Sequence, residues 1–219
     1  MKHRAVPGYG AQVHVVKDRS CPDATLREFV GDYQAVVVHP FNDPCVIAGQ
    51  GTVMAESVDQ VADLDIVLAP VGGGGLLSGL CLSAHPLPPC MAIFACEPAS
   101  ALDAMDSVKQ NCIVLMPNPN TLADGLRTSL GELTLPILRQ HVTGFFAVGE
   151  EEIVQPMQFA YERLRLVIEP SSAVALAPLL RQEPQLVGKR VGVVLIWRQC
   201  GVVAALAMSG RDRDKAAIG

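Results

Sequence analysis

Aromatic side chains are scarce in this chain: Phe, Tyr and Trp make up 5% of it, with a single Trp. Its hydrophobic half is carried instead mainly by Ala, Val and Leu, and with its Gly these are the small and branched residues of tightly packed α/β proteins. Runs of Lys or Arg are absent and the net charge is −5, so no basic face for nucleic acid is expected. The longest apolar runs, such as "VGVVLIW" (191–197), are too short to span a bilayer, which excludes an integral membrane protein of helical type. The opening "MKHRAVPGYG" has no apolar leader core, so secretion is not expected. Cys-x-x-Cys pairs are also lacking. The seven cysteines are odd in number and scattered, at 21, 45, 81, 90, 96, 112 and 200. They read as reduced, mostly buried thiols of a cytoplasmic protein, not as a disulfide framework or a zinc site.

What is present is a repeated pattern. Short β-branched runs recur at 11–16, 35–40, 65–72, 91–98, 145–149 and 190–197, and helical patterns fill the gaps at 23–30, 45–61, 150–167 and 171–182. Near-continuous apolar strands alternating with helices predict an α/β fold: a mostly parallel, twisted sheet with helices on both faces. "PLPP" (86–89) and "MPNPN" (116–120) read as loops. The chain opens almost directly on a turn and a strand, "PGYGAQV", as the middle of a domain would.

The most informative stretch is "APVGGGGLLSGL" (69–80), where four glycines stand between a strand and a helix. Bare backbone N–H groups at a helix N-terminus bind phosphate, and ligands of such sheets lie outside the carboxyl ends of the strands. A tight turn with close helix–strand packing needs one glycine; four favour a phosphate. Gly73, Gly75 and Gly79 also form a G-x-G-x-x-x-G variant of the dinucleotide fingerprint, with Glu97 at the end of the next strand as the ribose-binding acid. The local pattern leaves that alternative open.

The order and spacing of further blocks points elsewhere. "VVVHPFNDPCVIAGQGTVMAE" (36–56), "VLAPVGGGGLLSG" (67–79), "FACEPASALDAMDS" (94–107), "TLADGLRTS" (121–129) and "VIEPSSAVALA" (167–177) together closely resemble the serine racemase and serine/threonine dehydratase family, the fold-type II pyridoxal-phosphate enzymes. The resemblance runs from about Ala5 to Leu195. It implies pyridoxal 5′-phosphate (PLP) as cofactor, its phosphate held by the backbone N–H groups of Gly72, Gly73, Gly74, Gly75 and Leu76, with Phe41 and Gly125 beside it. It implies a divalent cation, Mg²⁺, Mn²⁺ or Ca²⁺, on Glu97, Asp103 and the Ala101 carbonyl, an all-oxygen set suited to hard cations. Asp103 would also suit the first turn of a helix without any metal. Glu169 could steady the site from behind or merely precede Pro170 at a helix start. Tyr9 and Arg165 fall near positions that contact a nucleotide effector in mammalian-type racemases. Implied substrates are hydroxy amino acids (L-serine, L-threonine, D-serine), and a homodimer is implied for the intact family member.

One further lack bears on chemistry. The resemblance requires a Schiff-base lysine in a Ser-x-Lys-x-Arg motif, and the five lysines (2, 17, 109, 189, 215) lie in no such motif, so no catalytic residue is assigned. Ser107-Val108-Lys109 lacks the arginine. Where the family has Ser-Gly-Gly-Asn after the last strand, this chain reads Ile196-Trp197-Arg198-Gln199. With one codon choice at each of Ile196, Arg198, Gln199 and Cys200, a one-base slip recovers Ser-Gly-Gly-Asn-Val. Residues 1–42 are thus expected to be the remnant of a small domain and 43–200 the large phosphate-binding domain. Residues 201–219 are a tail that the slip would make out-of-frame. Two readings follow. One is the C-terminal portion of a PLP-dependent racemase or ammonia-lyase, inactive alone. The other is a non-catalytic remnant that binds a small phosphate compound or regulates an intact partner by co-assembly.

Overall fold

Alternation within the apolar runs decides the layers. In the computed structural model, which describes residues 6–13, 26, 30, 36–61, 63–85 and 91–196, four of these runs become strands: β1 (Ile66–Pro70), β2 (Ala92–Pro98), β3 (Gly144–Val148) and β4 (Val191–Val193). They form one sheet in the order β3-β2-β1-β4, every pairing parallel. Successive side chains of a strand point to opposite faces. Ile66, Leu68, Phe94, Cys96, Phe146 and Val148 therefore enter one core, and Val67, Ala69, Val71, Ile93 and Ala95 enter the other.

Helices cover both faces, as expected for a parallel sheet. Against the first core lie α5 (Glu151–Phe159) and α6 (Pro170–Leu180), through Ile153, Met157, Val174 and Leu176. Against the second lie α1 (Pro44–Gln60), α2 (Gly75–Ala84), α3 (Asp103–Gln110) and α4 (Thr134–His141), through Met54, Leu77, Leu80, Ala104 and Leu138. The start of α1 is fixed locally: Pro44 occupies the first turn and the Asp43 carboxylate accepts from the N–H groups of Cys45 and Val46 at 2.8 and 3.1 Å. The α1–α2 contact is made close by glycine. A Cβ on Gly79 would fall 2.5 Å from the Ile47 carbonyl oxygen and 2.6 Å from the Gly51 nitrogen. The third glycine of the dinucleotide-like pattern thus serves helix packing.

The chain divides into two compact units, Met1–Val38 and His39–Gly219. In the first, a 3₁₀ turn spans Val6–Tyr9. The second holds the sheet and all the helices named above. No described helix is long and apolar enough to cross a membrane.

Three expectations are corrected. Val36–Val38 and His39 form no strand, and all three valines are exposed; a β-branched run here has no neighbouring strand to pair with among the described residues. The helix expected to run to 167 ends early. After Phe159 it widens into a single π turn, Ala160–Leu164, and stops at Arg165, whose φ of 58° is left-handed. Of the four described cysteines, Cys81 and Cys96 are buried but Cys45 and Cys112 are exposed, so burial is not the rule. The strand expected at 11–16 and the helix at 23–30 lie largely outside the described residues.

Candidate phosphate and cation sites

The carboxyl ends of β1 and β2 are neighbours. Pro70 pairs with Cys96, and the Val71 N–H donates to the Cys96 carbonyl at 3.1 Å. Just beyond, β1 releases the glycine tract, while β2 carries Glu97 in the last residues of its pairing with β3, ends at Pro98 and releases the loop that leads to Asp103. Both sites expected from sequence therefore sit at the same edge of the sheet, where open α/β sheets bind ligands. A cavity of about 440 Å³ lined by Leu64, Asp65, Ile66, Ala92, Phe94, Gln185 and Lys189 opens at the opposite, amino end of the strands and shares no residue with them.

The glycine tract turns sharply. Gly74 has φ 87°, in the left-handed region, and serves as N-cap of α2 without any side-chain cap. The N–H groups of Gly72 to Leu76 find no acceptor among the described residues, while Ser78 N–H returns to the Gly74 carbonyl at 2.8 Å. Five consecutive donors at the positive end of a helix dipole are an arrangement able to accept an anion. The surroundings leave no room for side chains. A Cβ on Gly73 would fall 2.4 Å from ring carbons of Phe41, and one on Gly75 would fall 2.8 Å from the Phe41 Cβ. A Cβ on Gly72 would lie 2.9 Å from the Thr128 hydroxyl and 3.4 Å from the Gly125 carbonyl oxygen. Phe41, the four glycines and Gly125 are thus brought together. Gly125 lies in a 3₁₀ turn, Asp124–Leu126, and its N–H donates to the Ser171 hydroxyl at 3.2 Å.

Glu97 and Asp103 are 1% and 3% exposed, an unusual burial for two carboxylates. The Glu97 oxygens accept from the N–H groups of Ala104 and Met105, both at 2.9 Å, and so cap the start of α3. Burial pushes the Glu97 carboxyl up to about 8; the Met105 and Ala104 N–H groups pull it down, and the Asp103 and Asp106 charges push it further up. Burial likewise pushes Asp103 up to about 6, against hydrogen bonds from its own N–H and from Ser129. Asp103 Oδ2 has no hydrogen-bond partner, and none of the described ion pairs reaches either carboxylate. No three His, Cys, Asp or Glu side chains among the described residues could together hold a metal ion. Two buried carboxylates, one with an orphaned oxygen, nevertheless fit a hard cation whose remaining ligands are carbonyl and water. Ala101, 1% exposed, stands between them in the loop.

Residues 1–196 match the model of a family described as "Pyridoxal-phosphate dependent enzyme". The chain belongs to that family. Among curated relatives it is 40% identical over 200 residues to a serine racemase of Dictyostelium discoideum, covering 89% of this chain and 62% of that protein. It is 47% identical over 158 residues to a β-hydroxyaspartate dehydratase of Paracoccus denitrificans, covering 72% and 50%. The crystal structure of the D. discoideum serine racemase superposes with a TM-score of 0.83 at 39% identity, over 92% of this chain and 65% of that one. A threonine deaminase from T.th. gives 0.81 at 35%, over 90% and 68%. The chain thus spans 50–62% of the length of these curated relatives.

As a pyridoxal-phosphate family member, the chain shows two features that sequence reading overlooked. Glu150 accepts from the Ser100 hydroxyl at 2.6 Å and from the Leu122 N–H at 2.8 Å, tying the segment before Ala101 to the segment before Gly125. Thr134, fully buried, reaches the glycine tract. Their partners lie 28 to 61 residues away in sequence, so no local pattern announces them. Glu169 is buried at the N-cap of α6. Tyr9 and Arg165 are exposed and belong to different units.

Proposed function

We propose that the glycine tract holds the phosphate of pyridoxal 5′-phosphate on the backbone N–H groups of Gly72 to Leu76, with Phe41 and Gly125 beside the cofactor. We further propose that Glu97, Asp103 and the Ala101 carbonyl hold a divalent hard cation such as Mg²⁺ or Mn²⁺. The observation that carries the first assignment is the set of five donors without acceptors at the start of α2, on a loop too crowded for any side chain. The enzyme type that fits is a serine racemase or serine/threonine ammonia-lyase acting on small hydroxy amino acids. Support comes from the relatives, whose names span serine racemase, β-hydroxyaspartate dehydratase and threonine deaminase.

When bound, the cofactor supplies an electron sink for a carbanion at the amino acid α-carbon. The residues of this chain contribute binding and placement. The loop amides fix the phosphate and the α2 dipole favours its charge. Phe41 packs on the face of Gly73 and closes one side of the tract. Gly125, anchored through Ser171, lets backbone approach without a side chain. Glu97, Asp103 and the Ala101 carbonyl would hold a cation, which would offset the charge of the two buried carboxylates. The proton-transferring lysine of such enzymes has no counterpart among the five lysines in a Ser-x-Lys-x-Arg setting, so this chain alone is expected to bind the phosphate compound without turning over an amino acid.

The test is calorimetric titration with 4′-deoxypyridoxine 5′-phosphate, which keeps ring and phosphate but cannot react with lysine. The expected result is saturable one-to-one binding, with affinity reduced at least a hundredfold for the analogue lacking phosphate. Equal affinity for the two analogues would remove the assignment of the glycine tract.

A further inference from the structure

A run of four glycines is a poor anion site unless something stops its peptides from rotating. Each free peptide flip costs entropy on binding, so affinity depends on how far the loop is ordered beforehand. Among the described residues, one side chain hydrogen-bonds a backbone group of the tract. Thr134, the first residue of α4 and 0% exposed, directs its hydroxyl at the Gly73 carbonyl oxygen at 2.9 Å. The same hydroxyl oxygen accepts from the Gly131 N–H at 2.9 Å. Its single proton has a second, longer candidate in the Gly131 carbonyl at 3.2 Å, so the shorter contact to Gly73 is the better donor direction.

The consequence follows from peptide geometry. The C=O and N–H of a trans peptide point to opposite sides of the chain. Holding the Gly73 carbonyl toward Thr134 turns the Gly74 N–H to the side away from Thr134. The left-handed φ of Gly74 belongs to the same constraint: a Cβ there would fall 2.9 Å from both the Cβ and the hydroxyl of Thr134. Thr134 is itself held. Its neighbour Leu133 donates its N–H to Asn42 Oδ1 at 2.9 Å, and the Asn42 N–H donates to His39 Nδ1 at 2.8 Å. A chain of hydrogen bonds therefore runs from His39 through Asn42 and the start of α4 to the glycine loop.

We infer that Thr134 is a positioning residue for the phosphate site: its hydroxyl locks the Gly73–Gly74 peptide so that the Gly74 N–H is already aimed at the anion before binding. This rests on the phosphate reading proposed above.

The test uses Thr134→Val, which keeps the shape and removes the hydroxyl, and Thr134→Ser, which restores it. Affinity for 4′-deoxypyridoxine 5′-phosphate and for inorganic phosphate is measured by calorimetry at 15 °C, with melting recorded for each variant. Thr134→Val should bind both probes about tenfold more weakly, the equivalent of one hydrogen bond, and Thr134→Ser should stay within about threefold of wild type. A purely structural role would lower the melting temperature and leave affinity of the folded protein unchanged; that result overturns the inference while the phosphate site stands. A wild-type chain that binds neither probe overturns the phosphate reading and the inference with it. Should Thr134→Val not fold, ¹⁵N relaxation of the phosphate-free wild type decides. The Gly74 amide should show an order parameter near 0.85, and a value below about 0.6 refutes a locked peptide.

Discussion

Replacing Gly73 with alanine tests the crowding around the glycine tract, because the nearest atoms all belong to one neighbour. All three nearest atoms to a Cβ at Gly73 belong to the Phe41 ring, at 2.4 to 2.5 Å. Carbon atoms do not pack closer than about 3.5 Å, so the ring must leave its place. Its displacement is resisted by the edge-on contact with the His39 ring, centroids 4.6 Å apart. Overpacking of this kind costs about 1–3 kcal/mol. Against it, Gly→Ala restricts the unfolded chain and contributes about 0.4–1 kcal/mol, since no left-handed φ is demanded at this glycine. The net expectation for Gly73→Ala is a loss of about 1–2 kcal/mol. In a Phe41→Ala background these three closest contacts are gone and the favourable term is expected to prevail. Gly73→Ala should then be neutral or stabilising, so the sign of its effect reverses and the two substitutions couple by about 1–3 kcal/mol. Urea denaturation of wild type, both single variants and the double variant measures this, read from midpoints at constant slope. An equal loss from Gly73→Ala in both backgrounds would refute the argument that Phe41 is what excludes a side chain there.

Two predictions concern the loop proposed to hold a cation. Glu97 and Asp103 hold protons to about 8 and 6 in the folded chain, well above an ordinary carboxyl near 4. The folded state therefore binds protons that the unfolded state releases, so in EDTA the contribution of these two groups to stability is fully present below about pH 4 and is lost as pH rises toward 8, by about 1.4 kcal/mol per pH unit per proton retained. Glu97→Gln should flatten this decline, and a cation-free chain whose melting temperature is constant across this range would contradict it. Mg²⁺ or Mn²⁺ should raise the melting temperature more at pH 8 than at pH 6, and Asp103→Asn should abolish the rise. Glu150→Gln should destabilise the fold by about 1–2 kcal/mol in urea, because one carboxylate serves both the Ser100 hydroxyl and the Leu122 N–H. Combined with Ser100→Ala the losses should be less than additive; strict additivity would mean that Glu150 does not join the two segments through Ser100.

The sheet and the glycine tract were legible because their signals are local. Apolar runs such as 66–70 and 92–98 are buried on both faces, and a buried parallel strand writes that directly into composition. Four adjacent glycines likewise advertise backbone used as a surface. Other features were not legible. Helix α4 carries Pro136 and only eight residues, too short for periodicity to show. The π turn at Ala160–Leu164 leaves no pattern distinct from a helix. The run Val36–Val38 looks like a strand, yet pairing depends on a partner that local sequence does not reveal. The supports of the site, Thr134 and Glu150, act on residues 61 and 28 to 50 positions away. The family resemblance carried the cofactor, and the structure supplied what packs on and hydrogen-bonds to the glycine tract.

The most direct measurement of the central claim is a ¹H–¹⁵N correlation spectrum of the folded chain titrated with inorganic phosphate and with 4′-deoxypyridoxine 5′-phosphate. An amide proton that gains a hydrogen bond to an anion moves downfield. The amides of Gly72, Gly73, Gly74, Gly75 and Leu76 should shift together, at one common saturation point and in the same direction for both compounds. Perturbation confined to exposed Lys and Arg neighbourhoods, with these five amides unmoved, would show that the glycine tract is a packing turn and holds no phosphate.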